Sequence, residues 1–265
     1  MSEKITPFLW FDRHAEEAIT FYTSIFPDSR IRSIKRYPDG PLEGPMQGME
    51  GRVLTGEFEL AGQRFLALDG GPVFTFNPAI SFFVNCATEA EIDTLWARLA
   101  EGGAVHMPLQ PYPFSPKFGW VADRYGVSWQ LNLVPRAQKI TPFLMFNGAQ
   151  QGRAEEAIRL YTSLFPDSAI ETLERDADGN GHAGNVKYAL FRLQGCEFAA
   201  LDSSIEHAFD NWGAISFYVD CETQEEVDYL WDALSAVPEA EQCGWLRDKF
   251  GIAWQIVPKA LPELL

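Results

Sequence analysis

The chain has 265 residues, 46% of them hydrophobic, a net charge of −16 and a pI near 4.6. That charge repels phosphate backbones and anionic membranes and no Lys/Arg run offsets it, which argues against a nucleic-acid partner. Charged residues interrupt every apolar run well before the roughly 18 residues of a membrane span, and no leader-like segment opens the chain; a soluble, cytoplasmic protein without a membrane partner is expected.

In chain order, ITPFLWF (Ile5 to Phe11) reads as a strand. Ala15, Ala18, Ile19, Tyr22 and Phe26 then recur at helical spacing, with Glu16 and Glu17 in the first turn, where the helix dipole favours negative charge, and Pro27 closing the helix. RIRSIKRY, RVLTGEFEL and QRFLALD read as three further strands, the last two joined at Ala61-Gly62. The plan then restarts: strand AISFFVNC (Ala79 to Cys86), a helix opened by Thr88-x-x-Glu91 with Ile92, Leu95, Trp96 and Leu99 as its apolar stripe, and strands GWVADRYG and VSWQLNL. These last two meet at Asp123-Arg-Tyr-Gly126, whose glycine supplies the positive φ of a hairpin turn. The first pass is a strand-helix-strand-strand-strand (βαβββ) module, and the second is read on the same plan.

The whole pattern is then repeated. ITPFLWF returns as ITPFLMF (Ile140 to Phe146), AEEAITFYTSIFPDS as AEEAIRLYTSLFPDS, AISFFVNC as AISFYVDC (Ala214 to Cys221), and GWVADRYGVSWQ as GWLRDKFGIAWQ (Gly244 to Gln255). The second copy keeps the capping sequence as Thr223-x-x-Glu226, with Val227, Leu230, Trp231 and Leu234 as its stripe. Such self-similarity marks a tandem duplication. The seam lies near Val134 to Lys139, giving domains 1–136 and 137–265. The second copy is shortened where Ser235 to Cys243 replaces Gly102 to Phe118, so one of two equivalent sites is a candidate for a purely structural role.

Two βαβββ modules per unit resemble the vicinal oxygen chelate superfamily, which includes glyoxalase I, extradiol dioxygenases and antibiotic-sequestering proteins. ITPFLWF, AEEAITFYTSIFPDS, AISFFVNC, MPLQ (Met107 to Gln110), GW and DRYGVSWQ, in this order, resemble its PhnB-like branch, often labelled 3-demethylubiquinone-9 3-methyltransferase. The resemblance covers nearly the whole chain. It implies an α+β fold of four modules forming two curled mixed sheets with helices on the convex faces. It also implies an internal pseudo-dimer, since relatives of half this length commonly pair; further homodimerisation stays open. A methyltransferase using S-adenosylmethionine normally presents a Gly-rich loop between strand and helix, whereas Gly70-Gly71-Pro72 precedes no convincing helix.

Metal-using members of the superfamily place His, Glu or Gln on the first and last strands of each module, facing the concave side. Alternation assigns that side here, because successive side chains point to opposite faces. It gives Thr6, Phe8 and Trp10; Ser81, Phe83 and Asn85; and Gln130 and Asn132 in the first copy, with Thr141, Phe143 and Met145; Ser216, Tyr218 and Asp220; and Gln255 in the second. Glutamine stands where metal-using relatives carry glutamate, and the first strands offer no histidine. Asp69 and Asp202, at the ends of QRFLALD and EFAALD, are the remaining possible ligands and equally suit turns. His14, His106, His182 and His207 do not repeat between copies, and Cys86, Cys196, Cys221 and Cys243 are scattered reduced thiols without a metal-binding spacing.

The expectation is therefore a pocket for a small, largely apolar or aromatic molecule, with no metal and no cofactor. The alternatives are a metal-dependent lyase or dioxygenase-like enzyme, and the methyltransferase of the family label. Glu57 and Glu59 share a strand face, but Leu190 and Arg192 replace them in the second copy, so no repeated acid–base pair emerges. The glycine-rich loops Pro38 to Gly51 and Asp176 to Gly184 occupy equivalent places and read either as lids or as idle connectors.

Overall fold

In the computed structural model the described residues are 4–177, 183–205, 207, 209 and 213–259. Among them fifteen strands and four α-helices build two mixed sheets. By compactness the chain divides into two units, Pro7–Thr141, and Pro142–Leu265 together with Met1–Thr6.

In the first unit, β1 (Ile5–Phe11) leads into α1 (Ala15–Ile25), whose spacing buries Ala15, Ala18, Ile19 and Tyr22. β2 (Arg30–Arg36), β3 (Val53–Leu60) and β4 (Gln63–Asp69) follow, in the order β1-β4-β3-β2, with β1 parallel to β4 and the other pairs antiparallel. The helix lies close to the sheet because Gly56 has no side chain; a Cβ there would stand 2.5 Å from Ile19 Cδ1. Ala61 and Gly62 both take positive φ in the β3–β4 turn, as the sequence predicts for a tight hairpin.

The second module comprises β5 (Ile80–Cys86), α2 (Glu89–Ala100), β6 (Ala104–Tyr112), β7 (Ser115–Ala122) and β8 (Ser128–Leu133). Its order is β5-β8-β7-β6, with β5 parallel to β8. Trp96 is only half-buried on α2, yet its ring lies over Gly119 of β7, where a Cβ would meet it at 2.5 Å. The two modules share an aromatic core: Phe65 meets Phe82 at 5.3 Å between centroids, and Trp129 contacts Tyr22, Phe26 and Phe82 at the same 5.3 Å. Burial of these rings is the main drive holding module to module.

The second unit repeats the plan. β9 (Ile140–Phe146), α3 (Ala154–Leu164), β10 (Ala169–Arg175), β11 (Val186–Leu193) and β12 (Cys196–Asp202) are ordered β9-β12-β11-β10. β13 (Ile215–Cys221), α4 (Gln224–Leu234), β14 (Trp245–Arg247) and β15 (Ala253–Pro258) are ordered β13-β15-β14. This last module is abridged: a 3₁₀ turn, Pro238–Ala240, and the three-residue β14 stand where the first copy has the long β6–β7 hairpin. Its core echoes the first, with Trp254 against Tyr161, Phe165 and Phe217.

Thr88 and Thr223 cap α2 and α4 by accepting the amides of Glu91 and Glu226. The return bonds differ from a reciprocal capping box: Glu91 and Glu226 accept the amides of Ala87 and Glu222, one residue before the cap. Both glutamates are also ion-paired, with Lys139 and Lys4 respectively. No helix among the described residues is long and apolar enough to cross a membrane.

Candidate functional site

Cross-strand partners lie on one face of a sheet, so the register locates the predicted residues. On the second module Phe83 and Trp120 both stand opposite Gln130, while Asn85 and Phe118 stand opposite Asn132. Gln130 is thus bracketed by two aromatic rings. Its Nε2 donates to Ser81 Oγ at 2.8 Å, and the other face carries Phe82, Trp129 and Leu131 into the buried core. Gln255 is bracketed alike, by Tyr218 and Trp245, and donates to Ser216 Oγ at 2.9 Å.

Thr6, Phe8, Ser81, Asn85, Gln130, Thr141, Phe143, Met145, Ser216, Tyr218 and Gln255 are all buried, and Trp10, Phe83, Asn132 and Asp220 are half-buried. Trp10 lies flat over Gly70, where a Cβ would fall 2.1 Å from the indole, and its Nε1 donates to the Gly71 carbonyl. Asn132 accepts from Ser115 Oγ at 2.5 Å. Asn85 donates through Nδ2 to the Gln138 carbonyl, but its Oδ1 is buried without a hydrogen-bond partner, as is Thr141 Oγ1. Orphaned buried oxygens of this kind are infrequent and mark places where a water or ligand completes the bonding.

Asp69 and Asp202 do a different job. Asp69 accepts the amides of Ala15 at 2.8 Å and Val53 at 3.0 Å, and Asp202 those of Gly152, Ala154 and Val186 at 2.8, 3.1 and 2.8 Å. Each carboxylate supplies the N-terminal cap that His14 and Arg153 do not provide for α1 and α3. Burial raises the pKa of both carboxyls against the opposing pull of these amides.

Two further aspartates, Asp123 of the predicted hairpin turn and its copy Asp248, are bonded on both oxygens. Asp123 accepts from Tyr22 Oη at 2.7 Å, Trp129 Nε1 at 2.8 Å, and the amides of Tyr125 and Val127. Asp248 repeats all four bonds with Tyr161, Trp254, Phe250 and Ile252. They tie each turn to the helix of the preceding module. Gly126 and Gly251 close these turns at φ 91° and 86°.

The other chemical candidates are absorbed by neighbours. Glu57 pairs with Arg64 at 3.0 Å, and Glu59 with Arg30 and Arg32. Burial pushes the Cys86 and Cys221 thiols up to about 12, leaving them unreactive, and Cys196 and Cys243 are also unbridged. His106 packs at a tilt against Trp120, its pKa lowered by burial. His14 is exposed beside Glu17, His207 meets Ser203 Oγ at 2.9 Å, and His182 lies outside the described residues with most of the 176–184 loop. The 38–51 loop is tied down, with Met49 buried and the Gly51 amide donating to the Tyr37 carbonyl. Beside it a surface groove of about 820 Å³ runs past His14, Arg36, Arg52 and Tyr125. Its polar groups largely satisfy one another: Arg36 pairs with Glu16, and Tyr125 Oη donates to Glu17.

Among the described residues no three His, Cys, Asp or Glu side chains converge as metal ligands. The donors around Gln130 and Gln255 are amides, hydroxyls and aromatic rings, with the half-buried carboxylate of Asp220 two residues along the strand from Tyr218; a carboxylate without an imidazole or thiolate beside it does not fit a transition-metal ion. No helix follows Gly70-Gly71-Pro72 before α2, so the strand–loop–helix cradle of a nucleotide-type cofactor is absent there.

The sequence reading missed Phe118, Trp120, Tyr112 and Phe114. The alternation of Phe118 and Trp120 along FGWVA was a readable signal. β6, however, carries Pro108 and Pro111 and is mostly exposed, so it has no apolar period.

Among solved structures, a PhnB protein from Bacillus cereus, provisionally named as a 3-demethylubiquinone-9 3-methyltransferase, is 53% identical; the match covers 49% of this chain and 98% of that one, with a TM-score of 0.45. A Pseudomonas aeruginosa protein matches at 26% identity over 47% of this chain and 92% of its own, TM-score 0.42. Glyoxalase I from Zea mays aligns with 98% of the chain and 94% of its own at 11% identity, TM-score 0.60, which is a likeness of fold. No curated protein matches. The profile of the family described as 3-demethylubiquinone-9 3-methyltransferase matches residues 3–132 and again 138–257. The chain therefore belongs to this PhnB-like family and carries the family unit twice.

Proposed function

We propose that this protein binds a small, largely apolar or aromatic molecule on the sheet faces that carry Gln130 and Gln255, without a metal ion. The observation that carries this reading is the repeated bracket of a buried amide between two aromatic residues, each amide held by a serine: Gln130 with Ser81, and Gln255 with Ser216. Aromatic rings offer flat apolar area at low entropic cost, and a fixed amide orients one polar group of the guest. Thr6, Phe8, Trp10, Thr141, Phe143 and Met145 of the first strands are further candidates for contact with a guest, as are the polar groups of Asn85, Asn132 and Asp220. Asp69 and Asp202, with both oxygens on backbone amides, shape the fold beneath the faces rather than touch the guest.

Lyase or dioxygenase chemistry would need charged or imidazole ligands where this chain has amides, and the methyltransferase of the family's description would need a cofactor cradle beyond Gly70-Gly71-Pro72. The test is thermal unfolding against a panel of neutral aromatic compounds in the presence of chelator. Concentration-dependent stabilisation by a subset is expected, because a ligand of the native state raises the melting temperature by mass action. Stabilisation that appears only after adding a divalent metal would contradict the reading.

A further inference from the structure

The two glutamine faces differ in what surrounds them. Around Gln130 an aromatic ladder climbs the β6–β7 hairpin: Phe83 lies 6.1 Å from Phe118, Phe118 meets Phe114 edge-on at 5.1 Å and Tyr112 at 5.9 Å, and Tyr112 stacks on Phe114 at 5.5 Å and 15°. Phe114 is 67% exposed at the hairpin tip, so this ladder runs from the half-buried Phe83 out to the surface. Trp120 flanks the glutamine on the other side, anchored through Nε1 to Ser128 Oγ at 2.8 Å. Around Gln255 the ladder is missing. By the sequence repeat Cys243 takes the place of Phe118 and Val257 that of Asn132, and no described strand stands where β6 does.

Resting on the reading above, we propose that each chain has one working site, the Gln130 face, and that it selects flat, neutral aromatic molecules bearing a hydrogen-bond donor such as a phenol. Gln130 spends its Nε2 on Ser81, and its carbonyl oxygen, which makes no hydrogen bond to a described residue, is the acceptor left to a guest lying between Phe83 and Trp120. The donor requirement follows because a buried acceptor left unpaired penalises a guest without one. The net charge of −16 disfavours anionic guests. Tyr112 and Phe114 form the clasp at the open end, and the Gln255 face keeps its amide–serine bond as a structural element.

The experiment is calorimetric titration of the full chain with 2-naphthol and with 2-methoxynaphthalene, which has the same ring system but no donor. One 2-naphthol per chain is expected, with binding at least tenfold weaker for the ether. Phe114→Ser, at an exposed tip, is expected to weaken binding severalfold while lowering the melting temperature of the free chain only slightly. Gln130→Leu, of similar volume, is expected to abolish the preference for the phenol. Two sites per chain, equal affinity for both compounds, or unchanged binding in both variants overturns the single-site proposal. No saturable binding of either compound overturns the binding reading itself and this proposal with it.

Discussion

Asp123 and Asp248 each accept four hydrogen bonds, and their value lies in what they leave satisfied. Removing the acceptor in Asp123→Ala strands the buried Tyr22 hydroxyl and Trp129 indole N–H, each costing about 1–3 kcal/mol. The variant is therefore expected to shift the urea midpoint by an amount corresponding to about 3 kcal/mol or more at unchanged m-value, with Asp248→Ala behaving alike. A loss below about 1 kcal/mol would mean that the turn does not depend on the carboxylate. The same bonds govern the tyrosines. Burial, and then the Asp123 and Asp248 charges, raise Tyr22 and Tyr161 well above 10. A raised folded pKa stabilises the fold fully below the unfolded tyrosine value of about 10, and that contribution is lost as pH rises through the folded value. Both should stay protonated in native protein at about pH 10.5, where an ordinary tyrosine is largely ionised. Absorbance at 295 nm should therefore show no loss of native titration amplitude in a Tyr22→Phe/Tyr161→Phe variant; a loss equal to two tyrosinates would contradict the assignment.

Between elements, the closest approaches are made at glycines. Gly119 lies under the Trp96 ring and is not in a positive-φ conformation, so the backbone alone would favour alanine by about 0.4–1 kcal/mol through the unfolded state. Overpacking against the indole works the other way, by about 1–3 kcal/mol, and wins if the helix cannot shift. Gly119→Ala is expected to lower the melting temperature; a rise would show that α2 is free to move off β7. The strands and helices are legible in the sequence wherever burial or backbone geometry constrains the residues: α1 carries a buried stripe, β5 is a largely apolar run buried on both faces except at half-buried Phe83, and the turn at Gly126 takes a positive φ. β6 was not, because an exposed edge strand carrying Pro108 and Pro111 has no apolar period to read. The caps of α1 and α3 were also hidden, since Asp69 lies 54 residues from Ala15 along the chain. The site followed the same rule. Alternation selected Gln130 and its neighbours, but the rings that bracket it come from other strands, and only the register brings them together.

Over the whole molecule, duplication supplies an internal control: features kept in both copies serve the fold or a shared function, and features kept in one are free to specialise. The aspartate-anchored turns, the capping threonines with their lysine-paired glutamates, and the glutamine–serine pairs are kept in both. The β6–β7 hairpin and its aromatic ladder occur in one. The central claim is that these faces bind a guest through aromatic rings and amides in place of a metal centre. The most direct test is plasma mass spectrometry of protein purified without affinity metal or chelator. The account predicts well under one transition-metal ion per chain; one tightly held ion per family unit would contradict it and make the glutamines and their neighbours metal ligands.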